Sequence, residues 1–113
     1  MKINHYSFGR IVIDGQTYVK DVILFPERVL SPWWRKEGHL LHAEDLTEVV
    51  NEKLRVLIVG TGYNGAMRVP EEVIDCLRSK DISLYVKDTP TAVKLYNEIC
   101  LEKKVAAALH LTC

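Results

Sequence analysis

The sequence has no excess of charge of either sign. Its 113 residues contain 15 lysines and arginines and 15 aspartates and glutamates, so the formal net charge is zero. A neutral balance creates no general field that would attract a nucleic acid or an anionic lipid surface. We therefore expect neither a nucleic-acid partner nor a membrane partner.

Paired cysteines and long apolar runs are also lacking. The three cysteines, Cys76, Cys100 and Cys113, are widely spaced, which argues against a disulfide framework and against a zinc site. No apolar run reaches the roughly 18 residues that cross a bilayer. Residues 1–10 lack the apolar stretch of a secretory signal. Together these absences predict a cytoplasmic protein.

Histidine is too sparse to indicate chemistry by itself. His39 and His42 are three positions apart with Glu44 nearby, but no second cluster completes a metal shell. We expect no metal and no cofactor, and structural or exposed roles for these side chains. His110 falls on the last predicted strand, either buried and paired or at the sheet end. Residue order reveals no Ser-His-Asp or Cys-His arrangement, so whether the chain is an enzyme stays open.

What the sequence does contain is typical of one globular domain over residues 1–113, with 48% hydrophobic and 27% charged residues. Asp14-Gly15 lies between two β-rich runs, the strongest short signal for a hairpin. The residues up to Pro26 therefore predict an antiparallel meander of three or four short strands. Residues 29–41 contain Pro32 and Gly38 and predict an irregular loop.

From residue 43 onward, predicted helices and strands alternate. The predictions are a helix over 43–52, a strand over 54–59, a helix from Pro70, a strand over 82–86, a helix capped by Thr89, and a strand over 105–111. This alternation is typical of a mostly parallel sheet with flanking helices. The predicted fold class is α/β: an N-terminal antiparallel β-meander packed with a mixed, mostly parallel sheet flanked by about three helices.

A glycine-rich turn follows the first apolar strand of that sheet. Residues 60–65 match G-x-G-x-x-G, and Asp88 lies where a ribose-binding acid would be expected. Pro70, however, is the natural start of the next helix, which leaves a loop of about ten residues and moves the helix amides away from the motif. Only three strands follow residue 53, too few for a dinucleotide fold. We therefore do not predict dinucleotide binding.

A milder hypothesis keeps a ligand at this strand end. The glycines let backbone amides face an anion, and ligands of open α/β sheets usually lie at strand ends. The candidate residues for a small anionic ligand are Gly60, Thr61, Gly62, Arg68, Asp88, Thr89, Tyr96 and Asn97. The alternative is structural: the glycines only permit a tight exit from a buried strand.

A tryptophan pair stands next to two cations in the predicted loop. Trp33-Trp34 and Arg35 could stack on bases, but two aromatic residues in a neutral chain are weak support for that. We expect one tryptophan to be buried and the other to line a surface groove. If exposed, the set Trp33, Trp34 and Arg35 is a candidate protein contact, where tryptophan and arginine are enriched.

Several of these residues carry a family resemblance. The ordered features are Gly60-Thr61-Gly62, Asp88-Thr89, Ala92, Tyr96-Asn97, Glu102 and the closing strand Val105 to His110. In this order the chain resembles the small Mth-type family of uncharacterised α/β domains, which includes an adipogenesis-associated protein and a mitochondrial complex I assembly factor. The resemblance covers nearly the whole chain. It departs at Lys103-Lys104, where members often carry Gly-Arg, so the positive charge is kept but a guanidinium fork is lost.

The resemblance implies a meander beside a mixed sheet and no established catalytic residues. It also implies that Asn97, if buried, bonds to the Gly60 loop. Two functional hypotheses follow. The first is a non-catalytic binding or assembly module with a protein partner, or with a second copy as a homodimer. The alternative is an enzyme or sensor of a small anionic metabolite at the Gly60 loop, which requires residues 60–62 and 88–97 to share an accessible concavity.

Overall fold

The computed structural model describes residues 1–113. Its strands are β1 (Ile3–Ser7), β2 (Arg10–Ile13), β3 (Gln16–Tyr18), β4 (Val22–Leu24), β5 (Val29–Leu30), β6 (Val56–Gly60), β7 (Ser83–Lys87) and β8 (Ala106–Leu109). Its helices are α1 (Thr47–Asn51), preceded by a 3-10 turn at Ala43–Leu46, α2 (Glu71–Ser79) and α3 (Thr89–Ile99). The longest, α3, has 11 residues, and none has the length and apolarity needed to cross a membrane.

Five strands form a mixed sheet in the order β5-β4-β8-β6-β7. The strands β8, β6 and β7 run parallel, while β4 is antiparallel to β8 and β5 is antiparallel to β4. The predicted α/β class with a mixed sheet and three helices is confirmed. Residues 57–60 of β6 are buried, as their unbroken apolar run indicates for a strand covered on both faces.

The N-terminal meander divides between two sheets. Strands β1, β2 and β3 form a separate antiparallel sheet, whereas the fourth strand of the meander, β4, joins the large sheet beside β8. The predicted hairpin turn is present: Asp14 and Gly15 have φ angles of 48° and 80°, as a two-residue turn requires.

Two hydrophobic cores lie on opposite faces of the large sheet. Along β6, Leu57 and Val59 belong to one core and Ile58 to the other. The first core is closed by α1 and α2, and the second by α3 and the three-stranded sheet. Strand β8 contributes alanines to both, and its fully buried small side chains let both layers approach closely.

Two predicted helix starts are shifted by one residue. Pro70 is the residue before α2 rather than its first helical residue. Thr89, predicted as the cap of α3, is the first residue of that helix; the cap is Asp88, whose side chain accepts a hydrogen bond from the Thr91 N–H at 2.8 Å. The cap prediction was wrong because Asp and Thr are both good capping residues, and the Thr89 hydroxyl is committed elsewhere.

Candidate functional site

The glycine loop and the start of α3 meet at one end of the sheet. The Gly62 N–H donates to Thr89 Oγ1 at 2.8 Å, and the Thr89 N–H donates to the Gly62 carbonyl at 2.9 Å. The Thr89 hydroxyl in turn donates to the His110 carbonyl at 2.7 Å. Buried Thr89 therefore joins the strand end of β6 to the segment that follows β8.

The backbone amides of the loop are used by the chain itself. The Thr61 N–H donates to the Lys87 carbonyl, the Tyr63 N–H to the Thr112 carbonyl, and the Ala66 N–H to the Cys113 carbonyl, at distances from 2.7 to 3.0 Å. A Cβ atom at residue 62 would lie 2.3 Å from the Cys113 carbonyl group. The C-terminal residues thus occupy the position in which an anion would have to bind.

No cavity opens at the proposed ligand site. None of the five cavities of the structure is lined by a residue of 60–62 or 88–97. Gly60, Thr61 and Thr89 are all buried. The concavity that the small-ligand hypothesis requires is absent, and the structure favours the alternative interpretation, in which the glycines permit a tight exit from a buried strand.

The other ligand candidates are dispersed. Tyr96 is 1% exposed in the second core, and burial raises the pKa of its hydroxyl to about 12. Asn97 does not contact the Gly60 loop, so that expectation was wrong; its amide bonds to both backbone groups of Ile3, at 3.0 and 2.9 Å. Arg68 lies in the extended loop before α2, where its backbone pairs with His39 and Leu41.

A buried charged cluster that sequence reasoning did not find lies beside this region. Asp21, just before β4, accepts from Arg35 Nη1 at 2.7 Å and from the Leu111 N–H at 2.8 Å. His110 Nδ1 lies 2.8 Å from the same carboxylate. The side chains of Arg35, His110 and Asp21 are only 5%, 7% and 17% exposed. We name Asp21, Arg35 and His110 the Asp21 cluster.

The proton positions in the Asp21 cluster follow from the donors present. His110 Nδ1 lies 2.8 Å from the Asp21 carboxylate, which only accepts, and 3.1 Å from Arg35 Nη2, which only donates. We assign a proton to Nδ1 on the shorter of these two contacts. Arg35 Nη2 then donates to the Gly38 carbonyl, 3.0 Å away. Burial by itself would raise the pKa of Asp21, but hydrogen bonds from His110, the Leu111 N–H and Arg35 outweigh it and hold the pKa below its usual 3.8. Arg35 Nε and His110 Nε2 are buried without a partner in the chain.

The cluster fixes the loop that carries the tryptophan pair. Trp33 is 4% exposed, its N–H donates to the Asp21 carbonyl at 2.8 Å, and its ring nitrogen donates to the Asp45 carbonyl at 3.0 Å. The Arg35 guanidinium lies 4.7 Å from the centre of the Trp33 ring. Trp33 is therefore an anchor, held by its backbone, its ring nitrogen and its ring face.

Trp34 projects from this anchored loop into solvent. It is 77% exposed, and Val19 on the neighbouring segment is 65% exposed. Both line a cavity of about 340 Å³ whose other walls include Lys20, Asp21, Arg35 and Thr112. We name this cavity the Trp34 cleft. The sequence-based expectation of one buried tryptophan and one lining a groove agrees with this geometry.

The remaining histidines occupy separate positions. His42 Nε2 pairs with Glu37 at 2.8 Å, and the ring of exposed His39 lies edge-on to His110, with 5.7 Å between ring centres. No group of three or more His, Cys, Asp or Glu side chains converges as metal ligands would.

Comparison with known proteins identifies relatives over almost the whole chain. A family model described as "Protein of unknown function (DUF498/DUF598)" matches residues 3–110. NADH dehydrogenase [ubiquinone] 1 alpha subcomplex assembly factor 3 is 28% identical in Mus musculus and 27% identical in Homo sapiens, over 94% and 96% of this chain. The chain spans only 57% and 59% of the length of those two relatives.

A solved structure shares both the fold and the length. The crystal structure of a conserved hypothetical protein from Pyrococcus horikoshii superposes with a TM-score of 0.85 and 30% sequence identity, and the match covers 100% of each chain. The family resemblance read from the glycine turn, the α3 residues and the alanine strand is confirmed by these matches.

Proposed function

This chain belongs to the DUF498/DUF598 family of proteins of unknown function, and we propose that it is a non-catalytic module that binds a protein partner through the Trp34 cleft. The observation that carries the proposal is the exposure of Trp34, 77%, on a loop whose adjacent residue is fully anchored. Tryptophan is enriched among the residues that dominate binding energies at protein interfaces. A large exposed aromatic side chain on a fixed backbone is therefore well suited to be a binding anchor.

The fixed backbone of the loop that carries Trp34 strengthens this interpretation. A binding residue loses less conformational entropy on association when its backbone is already ordered. Trp33 and Arg35, on either side of Trp34, each donate two hydrogen bonds to other segments of the chain. The Trp34 side chain itself projects into solvent.

The walls of the cleft indicate the chemistry of the partner. Val19 and Trp34 present apolar surface, and Lys20 adds a cation. The charge of Asp21 is already paired with the Arg35 guanidinium, 2.7 Å away. An apolar side chain flanked by an acidic residue would complement this surface. The relatives named as NADH dehydrogenase assembly factors support a role in protein assembly.

The test compares Trp34→Ala with Leu101→Ala. Leu101 is 84% exposed and does not line the Trp34 cleft, so it is a matched control for loss of an exposed apolar side chain. A partner retained by the wild-type chain from the encoding organism would be purified, and its dissociation constant measured for all three chains. We expect Trp34→Ala to raise that constant at least tenfold, about 1.4 kcal/mol, and Leu101→Ala to leave it unchanged.

Two outcomes would count against the proposal. Equal binding by wild type and Trp34→Ala would exclude the cleft as the binding site, and failure of the wild-type chain to retain any partner would argue against a binding module.

We also propose that residues 1–113 fold as one domain and act in the cytoplasm. A single cooperative unfolding transition and cell fractionation test these two points. A small anionic ligand at the Gly60 loop is not included, because that loop has no cavity.

A further inference from the structure

Strand β7 leaves one edge of the large sheet unpaired. It is the last strand in the sheet order and pairs only with β6, through five consecutive residues without a register shift. Tyr85 and Val86 on this strand are 40% and 37% exposed. An open edge presents unpaired N–H and C=O groups that can template another strand.

The hydrogen-bond pattern identifies which backbone groups are free. The Ser83 N–H donates to the Arg55 carbonyl at 2.7 Å, and the Lys87 carbonyl accepts from the Thr61 N–H at 2.9 Å. Residues 83 and 87 therefore direct their backbone groups toward β6, and residue 85 does the same by alternation. The groups of Leu84 and Val86 consequently face away from the sheet.

Two of the usual devices that protect an edge strand, proline and a β-bulge, are absent from β7. Here the central residues are Leu84, Tyr85 and Val86, and the one charge within the strand is Lys87 at its end. A cavity of about 880 Å³ lies beside this strand, lined by Leu84 and Val86 and also by Ile74 and Arg78 of α2.

We propose that the β7 edge pairs antiparallel with β7 of a second copy of this chain, about a two-fold axis through Tyr85. In that register the outward groups of Leu84 meet those of the partner's Val86, and the converse pair forms by symmetry. Both pairs exchange two backbone hydrogen bonds, which satisfies all the outward groups at the centre of the strand. The pairing extends the five-stranded sheet into one of ten strands.

The side chains of β7 complement themselves in this register. Leu84 lies opposite the partner's Val86, and Tyr85 lies opposite the partner's Tyr85, so the centre of the contact is apolar on both faces. Ser83 lies opposite the partner's Lys87. The register therefore opposes apolar residues to apolar residues and places no like charges opposite each other, which favours a second copy over an unrelated strand.

The first experiment is sedimentation of the full chain over a range of concentrations. We expect a concentration-dependent species of twice the monomer mass of 12.9 kDa. Tyr85→Lys would place like charges directly opposite each other on the axis and raise the dimer dissociation constant at least tenfold. Val86→Pro would remove only an outward N–H, leave the β6 ladder intact, and have the same effect. Circular dichroism and thermal unfolding of both variants check that the fold is kept.

A cysteine experiment tests the register. In a Cys113→Ser background, Tyr85→Cys places two thiols opposite each other at a non-hydrogen-bonded pair, about 4.5 Å apart at Cα, within reach of a disulfide. Ser83→Cys in the same background places its thiols about 13 Å apart, so it is the matched control. We expect oxidation to yield a covalent dimer from Tyr85→Cys and not from Ser83→Cys.

A chain that stays monomeric at millimolar concentration would overturn the proposal. So would a dimer that survives Tyr85→Lys, because another surface would then hold it. The β7 edge and the Trp34 cleft share no residue. Trp34→Ala should therefore leave the dimer unchanged, and failure of the partner-binding proposal would be distinguishable from failure of this one.

Discussion

Replacing Asp21 by asparagine tests the Asp21 cluster most directly. The carboxylate accepts three hydrogen bonds of 2.7 to 2.8 Å, from Arg35, His110 and the Leu111 N–H. The introduced side-chain amide would keep one acceptor oxygen but turn an NH₂ group toward other donors. The Arg35 guanidinium, 5% exposed, would remain buried without its counter-charge. Breaking one side of a buried ion pair typically costs about 3–5 kcal/mol of the free energy of unfolding.

That loss is a large fraction of the total stability of a small domain, about 5–15 kcal/mol. Urea unfolding at neutral pH, followed by tryptophan fluorescence, would measure it because buried Trp33 lies against Arg35. Arg35→Gln and the Asp21→Asn/Arg35→Gln double variant complete a cycle, and we expect the double variant to be less destabilised than the sum of the singles. A loss below about 1 kcal/mol for Asp21→Asn would refute the assigned network.

The pH dependence of the same variant gives an independent check. The pKa of Asp21 is lowered in the folded state relative to 3.8. A lowered carboxylate pKa stabilises the fold above the unfolded-state pKa, and that stabilisation disappears as pH falls through the folded-state pKa. The wild-type free energy of unfolding should therefore decline as pH drops below about 4, and Asp21→Asn should show a shallower decline. Parallel pH profiles would mean that Asp21 is not the responsible group.

Two further substitutions test how the layers are joined. Thr89→Val should lower the free energy of unfolding by about 2 kcal/mol or more, because it leaves the Gly62 N–H and the His110 carbonyl unpaired in a buried site. Urea unfolding measures this loss, with Thr89→Ser as the control because serine keeps the hydroxyl. Equal losses of stability in the two variants would contradict the prediction. Asn97→Ala should lower the free energy of unfolding by about 1–2 kcal/mol. It should also increase amide hydrogen exchange in β1, because both side-chain hydrogen bonds of Asn97 go to Ile3. Unchanged exchange at Ile3 and its neighbours would contradict this prediction.

The large sheet could be predicted from sequence because its signals are local. Val56 to Val59 is apolar without alternation, which indicates a strand with both faces covered, and the structure has it between β8 and β7. The Asp14-Gly15 turn likewise needs only its own backbone angles. The division of the meander between two sheets could not be predicted, because it depends on β4 pairing with Ala107 and its neighbours far along the chain.

The Asp21 cluster could not be predicted from the sequence either, because it joins residues that are far apart in the chain. Asp21 and His110 are 89 positions apart, and no local pattern distinguishes this aspartate from an exposed one at a turn. Its position directly before a buried strand is the single available signal. For His110, burial with a partner was one of two open alternatives, and the structure selects it.

The glycine motif shows why a correct local pattern can still suggest the wrong ligand. At residue 60 a Cβ would lie 2.8 Å from Leu109 and from Thr89 Oγ1, and at residue 62 it would meet the Cys113 carbonyl. Glycine is therefore required by close approach, as a phosphate site would also require it. The difference is what the loop amides bind: here they donate to Lys87, to Thr89 and to the backbone of Thr112 and Cys113. Residue spacing alone cannot tell a ligand from a distant part of the same chain.

The same C-terminal segment connects the interior to the proposed binding surface. The Leu111 N–H donates to Asp21, Asp21 holds Arg35, and Thr112 forms part of the wall of the Trp34 cleft. Asp21→Asn should therefore weaken partner binding and lower stability, because it removes the contact that fixes Arg35 and with it the backbone of the loop carrying Trp34, while the Trp34 side chain itself is unchanged. Trp34→Ala should weaken binding with no comparable loss of stability, since the side chain is largely in solvent. If both variants reduced stability equally, Trp34 would be part of the packing rather than a free anchor, and the binding proposal would lose its basis.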